Sequence, residues 1–132
     1  MPKKEIMTDL WVYDMLKEIG VQKDFSAQGS HIKEIDEALA TASKKGTGHV
    51  GFPEYVGVIH DFLVVIEDKA SLQKHLHRDE KDLIAQDVKS VTDYAVNGAL
   101  FYGKHLAKNT TYKKIIAIGV SGNEKNHRIS PI

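Results

Sequence analysis

Pro53-Glu54-Tyr-Val-Gly-Val-Ile59-His60-Asp61-Phe62-Leu-Val-Val-Ile66-Glu67-Asp68-Lys69 is the stretch that decides the fold. It holds two β-rich runs, Glu54 to Ile59 and Phe62 to Lys69, with only His60-Asp61 between them. Two such runs joined by two residues predict a tight hairpin, although His-Asp lacks the usual Asn-Gly or Asp-Gly turn chemistry. A two-residue turn sets Ile59 opposite Phe62, Val58 opposite Leu63 and Val56 opposite Val65. One step further it sets Glu54 opposite Glu67. Strand alternation then places Lys69 on the same face as Glu67. Asp61 competes with Glu54 as partner of Glu67-x-Lys69. Six strand residues at about 3.3 Å each hold Asp61 about 20 Å from Glu67, so Glu54 is the acid that fits.

Directly opposed carboxylates have Cβ atoms about 5 Å apart and destabilise a hairpin unless something offsets their repulsion. The residues between them are mostly apolar, which predicts buried strands. Two acids and a lysine at the end of a buried hairpin cost stability without an ion or ligand. A divalent cation resolves the conflict, and hard oxygen donors suit magnesium or manganese. Glu54 and Glu67 are the expected ligands, with the backbone carbonyl of Asp68. Lys69 is then placed to orient an attacking water, lower its pKa or offset charge developing on a phosphate. Metal-assisted phosphodiester hydrolysis uses these parts. The competing reading is an internal salt-bridged triad of Glu54, Glu67 and Lys69 with no chemistry.

Outward from the hairpin, the pattern predicts a small α/β sandwich with a mixed sheet, its central hairpin flanked by helices. A first helix is expected from Thr8, as N-cap, to Ile19, stopped by Gly20, with Trp11, Val12, Met15, Leu16 and Ile19 on its packing stripe. Asp24 to Gly29 reads as a connector. A second helix is expected from a Ser30 cap to Ser43, with Ile32, Ile35, Leu39 and Ala42 inward and Glu34, Asp36 and Glu37 on its flanks. Lys44 to Gly51 reads as a basic, glycine-rich loop. Beyond the hairpin, helix is expected from Glu80 to Leu106 with room for one break, then a strand from Lys114 to Val120 and a polar turn from Ser121 to Asn126. His127 to Ile132 opens another extended segment and stops. One domain over residues 1–132, cut from a longer polypeptide, is the expectation.

Composition agrees with a single globular core: 132 residues, 42% hydrophobic and 27% charged. The longest aliphatic or aromatic run, Phe62 to Ile66, is far too short for a membrane span, and no apolar segment follows the N-terminal lysines as a secretory signal would. The absence of cysteine excludes disulfides, thiolate metal sites and a cysteine nucleophile. A cytoplasmic location is the expectation. Eighteen basic residues balance eighteen acidic ones, so any polyanion must be held by a local patch, by metal ions or by a fused module.

Three motifs point elsewhere and fail on context. Gly46-Thr-Gly48-His-Val-Gly51 matches a dinucleotide fingerprint letter for letter, but a helix precedes it and a strand follows, the reverse of what the mechanism requires. Gly119-Val-Ser121-Gly-Asn123 resembles a nucleophile elbow without its closing glycine or a following helix. His75-Leu-His77 lacks a third metal ligand and is expected to be a pair of surface histidines, free to touch phosphate beside Lys74 and Arg78.

Proline-acid, a short spacer and Glu-x-Lys on a hairpin resemble the PD-(D/E)XK nuclease superfamily, with Glu54 standing where the first acid is usually aspartate. The wider strings Ala42-Ser-Lys-Lys-Gly-Thr-Gly48, Gly51-Phe-Pro-Glu54-Tyr55, Val65-Ile-Glu-Asp-Lys69 and Tyr94-Ala-Val-Asn-Gly-Ala-Leu-Phe-Tyr-Gly-Lys104 are similar to the N-terminal endonuclease domains of bifunctional restriction-modification enzymes of the type IIG or type I-like kind. The likeness covers residues 30–122. It implies a restriction-endonuclease-like fold and Mg2+-dependent cleavage of double-stranded DNA, with Mn2+ able to substitute. Glu54, Glu67 and Lys69 would be catalytic, and the implied partners are fused or associated N6-adenine methyltransferase and specificity regions. It also implies a helix acid as an extra ligand, for which Glu37 is the candidate ahead of Glu34. Many relatives carry Gln-x-x-x-Tyr on the helix after the hairpin; here Ser90 stands four before Tyr94, and Gln86 a further turn back. Lys44, Lys45, Lys74, Arg78 and Lys104 are candidate phosphate contacts. The alternative function is a noncatalytic DNA-binding or interaction module that keeps the fold.

Overall fold

The computed structural model describes residues 2–27, 32–42 and 53–132. A five-stranded mixed sheet runs in the order β1-β2-β3-β4-β5, formed by β1 (Phe25–Ala27), β2 (Tyr55–Ile59), β3 (Phe62–Lys69), β4 (Lys114–Gly122) and β5 (His127–Pro131). The β3–β4 pair is parallel and the other three are antiparallel. Around it lie α1 (Pro2–Glu18), α2 (Lys33–Leu39), α3 (Val88–Asp93) and α4 (Ala95–Asn109). This is the small mixed α/β architecture that the sequence pattern predicts. No helix among the described residues is long and apolar enough to cross a membrane.

Central β3 is covered on both sides, which explains why it reads as a continuous apolar run instead of an alternating one. Leu63 and Val65 pack with Val56 against Ile35 and Leu39 of α2 and Tyr102 and Leu106 of α4. Val64 and Ile66 pack with Tyr55 and Val120 against Val12 and Leu16 of α1. The two-residue turn holds, with Ile59 paired to Phe62 and the register running out to Tyr55–Ile66. His60 takes φ 58° there, the left-handed conformation that primed hairpin turns demand of their first central residue. An ion pair between Lys114 Nζ and Asp61 Oδ2, at 2.8 Å, ties the turn to β4.

Several boundaries differ from the sequence expectation. Helix α1 begins at Pro2, so Thr8 is no cap: it is buried in mid-helix and its hydroxyl donates to the Gly122 carbonyl at 2.9 Å. The stop at Gly20 is as expected. Its φ is 78°, Gly20 N–H bonds to Lys17 O and Val21 N–H to Leu16 O, the paired contacts of a Schellman end. Part of the expected connector is the edge strand β1. Of the second expected helix, residues 33–39 are helical, and both Ser30 and Ser43 lie outside the described residues.

The expected helix from Glu80 starts only at Val88. Asp79 takes the Lys81 and Leu83 amides on its carboxylate and Asp82 adopts φ 65°, a local turn that competes with helix. Asp87 then caps α3 through Ser90 N–H at 3.2 Å. The single break falls at Tyr94, extended at φ −116° and ψ 137°. His127 to Pro131 does form a strand, antiparallel to β4.

Candidate functional site

At the far end of the hairpin from its turn, the register brings Glu54 and Glu67 side by side, and the Glu54 amide donates to Glu67 Oε1 at 2.9 Å. Glu67 is buried at the end of β3, while Glu54 and Lys69 are half-buried. Alternation puts Glu67 and Lys69 on the face that α2 and α4 cover, with Leu63 and Val65. The Tyr102 phenol of α4 is pushed up by burial and then by the charges of Glu67 and Glu54, so it stays protonated. Helix α4 reaches this end of the sheet because Gly119, the β4 partner of Glu67, has no side chain: a Cβ there would lie 2.6 Å from Val96 N.

The other face of β3 gathers acids from three segments. Asp68 points toward α1 and is 2% exposed. Carboxylate oxygens of Asp9, Glu54 and Asp68 all lie within 4.8 Å of one another. Helix α1 is held in place on either side of Asp9 by the Thr8–Gly122 bond and by the Tyr55 hydroxyl, which donates to the Asp9 carbonyl at 2.8 Å. Burial first, then the neighbouring carboxylates of Asp9, Glu54 and Glu67, push the Asp68 carboxyl up to about 10. Burial and the Asp9, Asp68 and Glu54 charges push Tyr55 up to about 12. Both Asp68 oxygens and Asp9 Oδ1 are buried with no donor other than a neighbouring acid. Hard oxygen donors at this spacing, orphaned in the interior, fit a metal ion, and the cluster can hold one.

Asp68 was expected to act through its backbone carbonyl, yet its side chain joins this cluster. Asp9 was not foreseen at all. One signal was available: Asp9 stands three before Val12 and seven before Leu16, so it continues the buried stripe of α1. An acid on an apolar stripe turns its carboxylate toward the core, whereas in a helix starting at Thr8 the same residue is an ordinary first-turn acid.

The remaining candidates are spread over the molecule. Glu37 is exposed and pairs with Lys33 at 3.7 Å, and it is not among the converging acids. Glu34 spends its carboxylate on the amide and hydroxyl of Thr111. Lys44, Lys45 and the glycine fingerprint Gly46 to Gly51 lie outside the described residues. Lys74 is exposed, 5.5 Å from the centre of the Tyr94 ring, on which His77 also stacks. Arg78 is exposed and bonds to the Asp82 carbonyl at 3.0 Å; Lys104 is exposed on α4. Gln86 donates to the carbonyls of Ala85 and Asn97, anchoring its loop to α4.

His77 is the surface histidine that was expected, but His75 is a core residue, bonded to Ser121 Oγ through Nδ1 and to Ser130 Oγ through Nε2, both at 2.8 Å. Ser121 therefore has a histidine beside it, at full burial. A substrate cannot reach it there, which disposes of the nucleophile elbow.

No family model matches the chain, and no solved structure matches it. It is similar to the "Type II restriction enzyme and methyltransferase RM.BcgI" of Heyndrickxia coagulans, at 34% identity over 133 residues. That alignment takes in 99% of this chain and 21% of the relative, so the chain spans about a fifth of the length of the curated relative it matches. The similarity associates the chain with restriction-modification enzymes.

Proposed function

We propose that the chain is a PD-(D/E)XK-type endonuclease domain that hydrolyses DNA phosphodiester bonds with Mg2+ as part of a restriction-modification system, alongside methyltransferase and specificity regions. The observation that carries the reading is the hairpin register. It juxtaposes Glu54 and Glu67 at one end of the sheet, with Lys69 two residues further along the same face. Similarity to a restriction enzyme and methyltransferase supports the same direction.

Glu54 and Glu67, with the Asp68 carbonyl, would hold the cation. When bound, such an ion supplies positive charge to the scissile phosphate and acidity to a coordinated water. Lys69, two residues along the same face from Glu67, would orient the attacking water and offset negative charge on the phosphate. Tyr102, buried on the same face, feels the charges of Glu67 and Glu54 and stays protonated beside them. Exposed Lys74, Arg78 and Lys104 offer phosphate contacts that position DNA without reading its sequence.

The test is cleavage of duplex DNA with Mg2+ by the intact protein. Glu54→Ala, Glu67→Gln and Lys69→Ala should each lower the rate by about 10²-fold or more while circular dichroism and melting stay native. Folded variants that cut at the wild-type rate would overturn the assignment. A wild-type protein that binds DNA yet leaves it intact with both Mg2+ and Mn2+ would favour a noncatalytic binding module.

A further inference from the structure

The acids on the α1 face have a role that the cleavage chemistry does not need. Asp68 sits between Glu67 and Lys69 in sequence but projects from the opposite face of β3, toward α1. Its two oxygens are buried, and no donor other than a neighbouring acid reaches them. Asp9 meets it from α1 with one oxygen in the same condition, and Glu54 closes the group from the residue just before β2, all within 4.8 Å. The bonds from Thr8 and Tyr55 hold the α1 backbone on both sides of Asp9, so the carboxylate is presented to β3 by the packing itself.

Buried carboxylates facing one another require a positive occupant between them, either a shared proton or a cation. Oxygens on opposite sides of a calcium-sized ion stand about 4.8 Å apart, and around magnesium about 4.2 Å, so the observed span accepts a hard divalent cation with little movement.

We propose that Asp9, Glu54 and Asp68 form a divalent-cation site whose occupant fastens helix α1 to the end of the sheet. The site shares Glu54 with the nuclease reading and takes the side chain of Asp68 where that reading takes its backbone carbonyl; Asp9 belongs to it alone. Three carboxylates leave coordination positions for water, and the ligands come from three separate segments, so occupation cross-links α1, β2 and β3. The expected consequence is local: α1 opens less often when the site is filled.

Manganese titrated into the full chain tests this by calorimetry, together with hydrogen exchange of the α1 amides. Mn2+ should slow α1 exchange about tenfold or more. Asp9→Asn and Asp68→Asn should each weaken the manganese binding that slows α1 at least tenfold and abolish the slowing, and Glu67→Gln, which removes a ligand of the proposed cleavage site, should leave the slowing of α1 in place. Asp68→Asn keeps the shape of a protonated aspartate, and half-exposed Asp9 tolerates the same change; should either fail to fold, the other decides. Wild-type α1 exchange that ignores Mn2+, or an Asp9→Asn or Asp68→Asn variant that binds and responds as wild type does, overturns the proposal. Mn2+ binding lost in Glu67→Gln but kept in Asp9→Asn would sink it while leaving the nuclease reading standing. A manganese-tightened α1 in a protein whose Glu67→Gln form cuts DNA at full rate would do the reverse.

Discussion

His75 shows how much a single side chain's setting depends on the fold around it. In the sequence it belongs to a solvent-facing pair with His77; in the structure it is 4% exposed and bridges β4 to β5 through the Ser121 and Ser130 hydroxyls. Residues 75–77 form no regular strand, so their spacing carries no information about facing. Burial, and then the charge of Arg128, lower the pKa of His75 below its usual 6.5. The unfolded chain therefore takes up a proton that the folded one refuses. Stability from this group is complete above about pH 6.5 and declines as the pH falls toward the depressed folded value. Urea unfolding between pH 8 and pH 5 should show that decline, and His75→Gln should flatten it. An unchanged slope in the variant would assign the pH dependence to other groups. Asp9 carries the opposite lesson: its place on the 9–12–16 stripe is legible in the sequence, because α1 begins at Pro2 and not at Thr8.

Among the elements, α4 and β4 decide where the site can be. The α4 N-terminus rests on β4 at Gly119, where an added Cβ would come within 2.6 Å of Val96 N and 2.7 Å of Val96 Cα. Both of those are backbone atoms, which cannot swing aside. Gly119→Ala should therefore destabilise the protein by about 1–3 kcal/mol, the range for overpacking, measured by chemical denaturation. Because Gly119 pairs with Glu67, the same variant should also slow DNA cleavage if the proposed site is right. A neutral effect on stability would mean that α4 is free to slide along the sheet. Hydrophobic spacing made the existence of α1 and of the hairpin readable, and left room for one break between Glu80 and Leu106 without placing it. It could not show that residues 79–87 are irregular, because that segment is settled by Asp79 and Asp87 bonding to nearby amides, a local competition invisible to periodicity.

At the scale of the whole molecule, equal numbers of acidic and basic residues set the terms on which DNA can be held. A surface without a strong positive field gains little from counterion release. The chain by itself should bind duplex DNA no more tightly than the nonspecific range of about 10⁻⁴–10⁻⁶ M, with a shallow dependence on salt, measured by fluorescence anisotropy. Nanomolar affinity of the chain alone would show that its surface charge is more organised than its composition suggests. The sequence by itself determined the α/β class, the hairpin and its register, because side chains alternate along a strand and a two-residue turn leaves one way to count. It thereby also determined that Glu54 meets Glu67 with Lys69 on the same face. The same alternation turns Asp68 to the other face; only the tertiary structure decided that it meets Asp9 there in a buried group, since that meeting depends on how α1 lies across the sheet. Contacts between segments about sixty residues apart come from packing, which no local pattern records.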